Sequence, residues 1–141
     1  MLNFLILFFM ANKTSKQYTD TQMYHSSIAF LKKLNHVAKN QSREFRSWYF
    51  EQLMRDCNDM VLNWSLSYVE TDRRNKFNFA KKNIELLKKI SIQIQLLHDI
   101  NLINFNQIRS LSFDIGKISS QAHGWFERMK SQLEQPVKET I

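Results

Sequence analysis

Residues 73–97 read RRNKFNFAKKNIELLKKISIQIQLL, and this stretch decides the fold class. Apolar residues recur there every three or four positions and fill an arc of about 160° on a helical wheel, whereas about 100° is enough to face one core. The opposite arc is cationic, with Glu85 as its only acid. The pattern predicts a long helix that contacts both a bundle interior and a second subunit, although a central helix in a monomeric bundle also fits. Because Ile92 and Leu96 interrupt the polar arc, we expect its last turns to be buried on all sides.

The composition favours an all-helical protein with an anionic partner. Two Gly and one Pro in 141 residues leave little room for hairpins or sheet turns. Twenty Lys and Arg against 13 acids give a net charge of +7, which favours nucleic acid; charge that serves only solubility is the alternative. Cys57 is the single cysteine, so we expect a buried small hydrophobe, no disulfide framework and a reducing, cytoplasmic location.

The rest of the chain supplies three more helices with short connections. Asp20 or Thr21 caps the first, Ser42 the second, and Thr71 or Asp72 the organising helix, which ends near residues 99–100. Asn104, with Gln107 three residues later, starts the fourth as in a capping box. We therefore predict an antiparallel up-down four-helix bundle over residues 20–131, with an N-terminal extension (1–19) and a polar tail (132–141). The core stripes expected on the first, second and fourth helices are Tyr24, Ile28, Leu31, Leu34 and Val37; Phe45, Tyr49, Leu53, Cys57, Met60 and Trp64; and Phe105, Ile108, Leu111, Ile115, Ile118, Ala122, Trp125 and Met129.

The extension itself has two parts. Residues 1–10 are almost wholly apolar but too short to span a membrane, which takes about 20 residues. A translation start at Met10, a secretory or membrane role, and an ordered oligomer contact all remain open. Residues 11–19 are small and polar, and we expect them to be disordered.

No pattern in the chain is typical of catalysis or of metal binding. The four histidines lack ligand spacing such as H-E-x-x-H, and the carboxylates are scattered beside Lys or Arg. We therefore expect a protein that is not an enzyme and that needs no cofactor or metal. The histidines are His25, His36, His98 and His123.

The basic residues are the remaining candidates for function. They cluster at the starts of the second and third helices, which point opposite ways in an up-down bundle, and then continue along the third helix. We predict that they form a stripe, which suits a long phosphate backbone better than a small ligand; a merely solvated face is the alternative. The predicted nucleic-acid or partner-binding residues are Arg43, Arg46, Arg73, Arg74, Lys81, Lys82, Lys88 and Lys89.

Several of these segments resemble a known family. The Ser-Arg-Glu-Phe-Arg at 42–46 is similar to the Pro-Arg-x-x-Arg that opens the second helix in accessory variability determinant proteins of diversity-generating retroelements, with Ser in place of the usual Pro. The Arg-rich segment 68–76, the Leu-Leu-His-Asp-Ile-Asn-Leu-Ile at 96–103, and Gly116-Lys117 followed by Gly124-Trp125 fit the same family. The resemblance covers residues 22–130. Four-helix-bundle proteins encoded in intervening sequences of ribosomal RNA genes are a related alternative.

The resemblance implies a concrete function. Such proteins are basic homopentamers of four-helix bundles that bind a reverse transcriptase and its template RNA and support mutagenic cDNA synthesis, without being enzymes. Here it implies those partners, no membrane and a homo-oligomer, most simply a pentamer; a generic RNA-binding helical adaptor, or one at a membrane, is the alternative. Gly116, Ser120 and Gly124, spaced by four, predict close approach of a neighbouring helix. The residues expected at an oligomer interface are Phe79, Leu86, Ile90, Leu97, Gly116, Gly124 and Trp125.

Overall fold

A computed structural model describes residues 17–136, and every regular element in that range is helical. Four helices pack against one another, which confirms the all-helical class and the helix count. The interpretations of residues 1–10 and of the end of the tail lie outside the described residues. The helices are α1 (Gln22–Lys39), α2 (Arg43–Phe45, a π-helical turn Arg46–Phe50, then Glu51–Val69), α3 (Arg73–Asp99) and α4 (Phe105–Glu134), with a 3-10 turn (Tyr18–Asp20) before α1.

Side-chain caps fix the start of each helix. The structure selects Thr21 and Asp72 from the alternatives that the sequence left open, since their side chains accept hydrogen bonds from backbone N–H groups three residues later. Ser42 does the same at α2. At α4, the Asn104 side chain accepts from the Gln107 N–H and the Gln107 side chain from the Asn104 N–H, both at 2.8 Å. The predicted capping box is therefore confirmed.

Each helix packs against two others: α1 and α3 both contact α2 and α4. At one end of the bundle the Ser67 hydroxyl of α2 donates to the Lys76 carbonyl of α3 at 2.7 Å, and Arg73 of α3 donates to the Gln132 carbonyl of α4. At the other end the Gln41 side chain, just after α1, donates to the Leu102 carbonyl, just before α4.

Most of the wide apolar arc of α3 lies in the core of its own bundle. Ile90 and Leu97, expected at the edge of an oligomer interface, are 0% and 2% exposed. The reason is that α3 lies against both α2 and α4, so two neighbours cover a wider arc than one would. The last turns are not buried all round either, because Ile92 and Leu96 face outward, 69% and 47% exposed. The expectations for Ile90 and Leu97 and for the last turns were therefore wrong, whereas Phe79 and Leu86 remain half-buried.

The predicted stripes hold over most of α2 and α4 and at the end of α1, and they fail at the starts of α2 and α4 and over residues 24–31 of α1. In α2, Leu53 and Cys57 are buried as expected, but Phe50 takes the core position that was given to Tyr49. The π-helical turn adds a residue to that turn and shifts the phase of the stripe before it. In α1, Leu34 and Val37 are buried as expected, and Met23 and Phe30 are buried as well. Tyr24, Ile28 and Leu31 are only half-buried, and in α4 Phe105 is 67% exposed.

Two expectations about chain boundaries and glycines also change. The bundle extends past residue 131, because α4 continues to Glu134. Residues 18 and 19, for which disorder was expected, belong to a 3-10 turn that ends at Asp20. Gly116 and Gly124 lie on an exposed face, and a Cβ built on either would meet nothing within 4 Å. The expectation of close backbone approach at these glycines is therefore wrong within this chain.

Among the helices of residues 17–136, none has the length and apolarity to cross a membrane.

Candidate nucleic-acid interface

A row of free cations runs along the outer face of α3. Arg74, Lys81 and Lys88 are exposed and are spaced by seven residues, which places them on one side of the helix about 10.5 Å apart. Among the described residues none of the three makes an ion pair or a side-chain hydrogen bond. Glu85 lies between Lys81 and Lys88 in sequence and pairs with neither. We call these three residues the free row.

Lys89 differs from the free row because it is already paired. Its Nζ lies 3.3 Å from Oδ2 of Asp56 on α2, whose side chain is 5% exposed. The same carboxylate accepts hydrogen bonds from the side-chain amides of Gln93 at 2.7 Å and Gln52 at 3.1 Å. A buried carboxylate needs such partners, so Lys89 serves the packing of α2 against α3.

Cys57 follows Asp56 and confirms the expectation of a buried small hydrophobe. It is 0% exposed, and burial together with the neighbouring Asp56 charge raises the pKa of its thiol to about 12. A thiol in that environment stays protonated and is a poor nucleophile at neutral pH.

Lys82 and Lys89 border a groove between α2 and α3 of about 500 Å³. Leu62 and Leu66 of α2, 57% and 44% exposed, and the half-buried Leu86 of α3 supply its apolar surface. Asp59 and Glu85 also line it, so the groove is mixed in charge. None of the free row lines this groove, and Lys88 instead borders a cavity between α3 and α4 with Ser119 and His123.

Arg43 and Arg46 stand at the start of α2, and both are exposed. Arg46 donates to the Gln41 carbonyl at 3.2 Å, which fixes it to the connection after α1. Both border a cavity of about 320 Å³ between α1 and α2, lined also by Phe50 and Met54. Arg43 makes no ion pair among residues 17–136.

The eight predicted basic residues do not form one pocket. Gln41, which contacts Arg46, also contacts Leu102 just before α4, whereas Arg73 donates to Gln132 near the end of α4. Since α4 rises about 1.5 Å per residue, these ends are separated by roughly 40 Å. The free row lies along the length of α3, as a stripe requires.

Trp125, expected at an oligomer interface, belongs to an aromatic cluster inside the chain. Its ring packs against Trp64 at 4.9 Å and Tyr68 at 5.8 Å, and its Nε1–H donates to the Ser67 hydroxyl at 2.8 Å. The Lys76 ammonium lies 5.6 Å from its ring centre and donates to the carbonyls of Tyr68 and Glu70 at the end of α2. Burial lowers the pKa of Lys76, opposed by the Glu70 charge.

The start of α2 carries one exposed aromatic side chain that the sequence reasoning missed, Trp48, and one that it placed in the core, Phe45. Trp48 is 69% exposed and makes no ring contact or hydrogen bond among the described residues, and Phe45 is 43% exposed. The signal was present, since Trp48 falls off the predicted stripe of α2 and lies two residues after Arg46. Phe45 was placed on that stripe, and its ring lies 6.5 Å from Tyr49 at the surface.

Within residues 17–136 no three His, Cys, Asp or Glu side chains are grouped as metal ligands would be. The comparisons with known proteins add no family: no family model, no curated protein and no solved structure matches this chain.

Proposed function

We propose that this protein binds nucleic acid through the free row on α3, as a non-enzymatic accessory protein. The observation that carries the proposal is the regular spacing of three exposed cations without acidic partners. Seven helical residues rise about 10.5 Å, so Arg74, Lys81 and Lys88 together span about 21 Å of one helix face. A row of that length can run beside a phosphate backbone and contact it at several points.

The arrangement of charge supports an extended ligand over a small one. Arg73 and Lys89 are occupied by contacts that hold the bundle together, whereas the free row, Lys82 and Arg43 are open to solvent. A small anion would require convergent cations, but these are spread over the length of a helix. A phosphate backbone uses such a spread because each contact releases counterions independently.

The resemblance described above supplies the biological setting of the proposal. In that setting the bundle binds a reverse transcriptase and its template RNA or cDNA and supports mutagenic cDNA synthesis. The pairings Ser67–Lys76, Arg73–Gln132 and Gln41–Leu102 support the antiparallel up-down topology that this family implies. A gene for a reverse transcriptase with a near-duplicate repeat pair beside this gene would support this setting. Their absence would favour a protein of ribosomal intervening sequences.

We also propose that the bundle assembles into a homo-oligomer, a pentamer in the setting above. The support comes from surface that the bundle leaves uncovered: Leu62 and Leu66 on α2, and Ile92 and Leu96 on α3, are each more than 40% exposed. A Cβ built on Gly116 or Gly124 would meet nothing within 4 Å, so a second helix can approach the α4 backbone at these positions. Exposed apolar surface commonly marks an interface.

Fluorescence anisotropy of labelled RNA with the wild-type protein tests the proposed binding. We expect an affinity that falls steeply with salt, and that varies little among unrelated sequences, because phosphates carry no sequence information. Absence of binding at low salt would overturn the proposal. Binding insensitive to salt would overturn it as well.

A further inference from the structure

The start of α2 combines exposed aromatic rings with cations, and the free row does not explain this combination. Arg43, Phe45, Arg46 and Trp48 fall within six residues and are all exposed. Aromatic faces beside basic side chains are the recognition elements of proteins that bind single-stranded nucleic acid. We call these four residues the Trp48 platform.

The Trp48 platform is held by the π-helical turn Arg46–Phe50. Phe50, at the end of that turn, is 1% exposed and anchors it in the core, while Trp48 two residues earlier stands outside. The Arg46 guanidinium is fixed by the Gln41 carbonyl at 3.2 Å, and Gln41 in turn is fixed by the Leu102 carbonyl at 2.9 Å. The Arg46 guanidinium is therefore held at the connection after α1, at the same end of the bundle as the indole.

The charges around the platform favour an anion. Glu51 accepts from Ser47 and pairs with Arg55, so its charge is partly neutralised within α2. Glu44 is exposed among the platform residues and opposes an anion there. Three exposed cations outweigh this acidic residue: Arg43, Arg46 and, at the end of α1, Lys39.

We propose that Trp48 is a stacking platform for an unpaired base of single-stranded nucleic acid, with Arg43 and Arg46 holding the adjoining phosphates. A 69% exposed indole leaves apolar ring area in water, and its ring faces meet no other aromatic among the described residues. A base in a duplex is already stacked on its neighbours, so an open ring selects unpaired bases. This inference rests on the proposed nucleic-acid binding and adds to it a preference for single strands.

The test compares a short labelled oligouridine with a blunt RNA duplex in anisotropy titrations. Trp48→Ala should weaken single-strand binding about tenfold, the order expected for one lost base–aromatic stack, and leave duplex binding unchanged. Trp48→Phe should restore most of the single-strand affinity because it keeps a ring. Phe113→Ala, which removes a 74% exposed ring on α4, is the matched control and should change neither affinity.

Tryptophan emission gives a second readout that a structural role would not produce. Trp64 is 5% exposed and Trp125 is half-buried, so Trp48 is the indole that solvent and ligand reach. Oligouridine should quench the emission of the wild type, and Trp48→Phe should abolish the quenching while retaining affinity.

Several results would overturn the stacking proposal. They are unchanged single-strand affinity in Trp48→Ala, an equal loss for both ligands, or wild-type emission that does not respond to oligouridine. A smaller mass of Trp48→Ala by light scattering would assign the ring to contact with a second copy. Duplex and single-strand binding that survive Trp48→Ala equally would leave the proposed function standing, whereas a wild type that binds neither ligand would overturn both.

Discussion

Asp56 and Lys89 form an ion pair that joins α2 to α3, with Nζ 3.3 Å from Oδ2. The carboxylate is buried and the ammonium is 56% exposed, so the pair lies at the edge of the core. The sequence pattern predicted that Lys88 and Lys89 would both contact phosphates. The structure separates them, because Lys88 has no partner among the described residues and Lys89 has one.

This difference predicts that substitution of Lys89 affects stability, whereas substitution of Lys88 affects RNA binding. Lys89→Gln should lower the free energy of unfolding by about 1 kcal/mol, because Asp56 loses one of three partners and solvent screens the exposed ammonium. Lys88→Gln should leave stability unchanged and weaken RNA binding. Denaturant unfolding and anisotropy on both variants make the comparison. Equal stability of the two variants would show that the Asp56 pair contributes nothing.

Trp125 tests whether the aromatic cluster serves the fold. Trp125→Phe removes the hydrogen bond to Ser67 and should cost about 1 kcal/mol. Trp125→Ala also removes the contacts with Trp64 and Tyr68 and should cost about 2 kcal/mol. The assembly mass by light scattering should not change in either variant. A lower mass at unchanged stability would return Trp125 to the oligomer interface.

Cys57 should behave as a core residue with a strongly shifted thiol. The pKa is raised from 9.0 to about 12, so between those values the folded chain holds a proton that the unfolded chain releases. Its contribution to stability is therefore complete below pH 9 and is lost as the pH rises towards 12. At pH 8 a disulfide reagent should modify Cys57 slowly in the native protein and rapidly in guanidinium. Equal rates would contradict its burial.

The exposed leucines of the groove between α2 and α3 predict self-association. Light scattering at micromolar concentration should give a multiple of the 16.9 kDa chain. Leu62→Glu with Leu66→Glu should reduce the mass while keeping the helical circular dichroism, since both side chains are largely outside the core. A monomeric wild type would refute the assembly.

Local sequence signals predicted much of this fold. The capping box of Asn104 and Gln107 involves contacts over three residues, so sequence spacing suffices to find it. The core positions at Leu53 and Cys57 follow from regular helical periodicity. The prediction from periodicity failed at Phe45 because a π-helical turn changes the phase of the apolar stripe. No residue in that turn is a sequence signal for a π-helix.

The site was less predictable because it depends on neighbouring helices. On a helical wheel of α3 alone, Ile90 lies outside the arc that one core would cover. It is buried because both α2 and α4 pack against α3. Equally, no sequence spacing links Lys89 to Asp56, which is 33 residues away. The presence of a cationic face could be predicted from the residue types along α3. Which of its cations are paired and which are free depends on how α2 packs against α3.

The salt dependence of RNA binding in a charge-reversed free row tests the central claim most directly. The variant Arg74→Glu, Lys81→Glu, Lys88→Glu is compared with Lys32→Glu, Lys117→Glu, Lys130→Glu, which reverses three exposed lysines on α1 and α4 and has the same net charge. With helicity and mass unchanged, the free-row variant should lose single-strand affinity, and its slope of log affinity against log salt should be shallower by about 2, from about 0.7 for each lost phosphate contact. The control should keep a near wild-type slope. Equal affinities and slopes in the two variants would show that nucleic acid does not bind along α3.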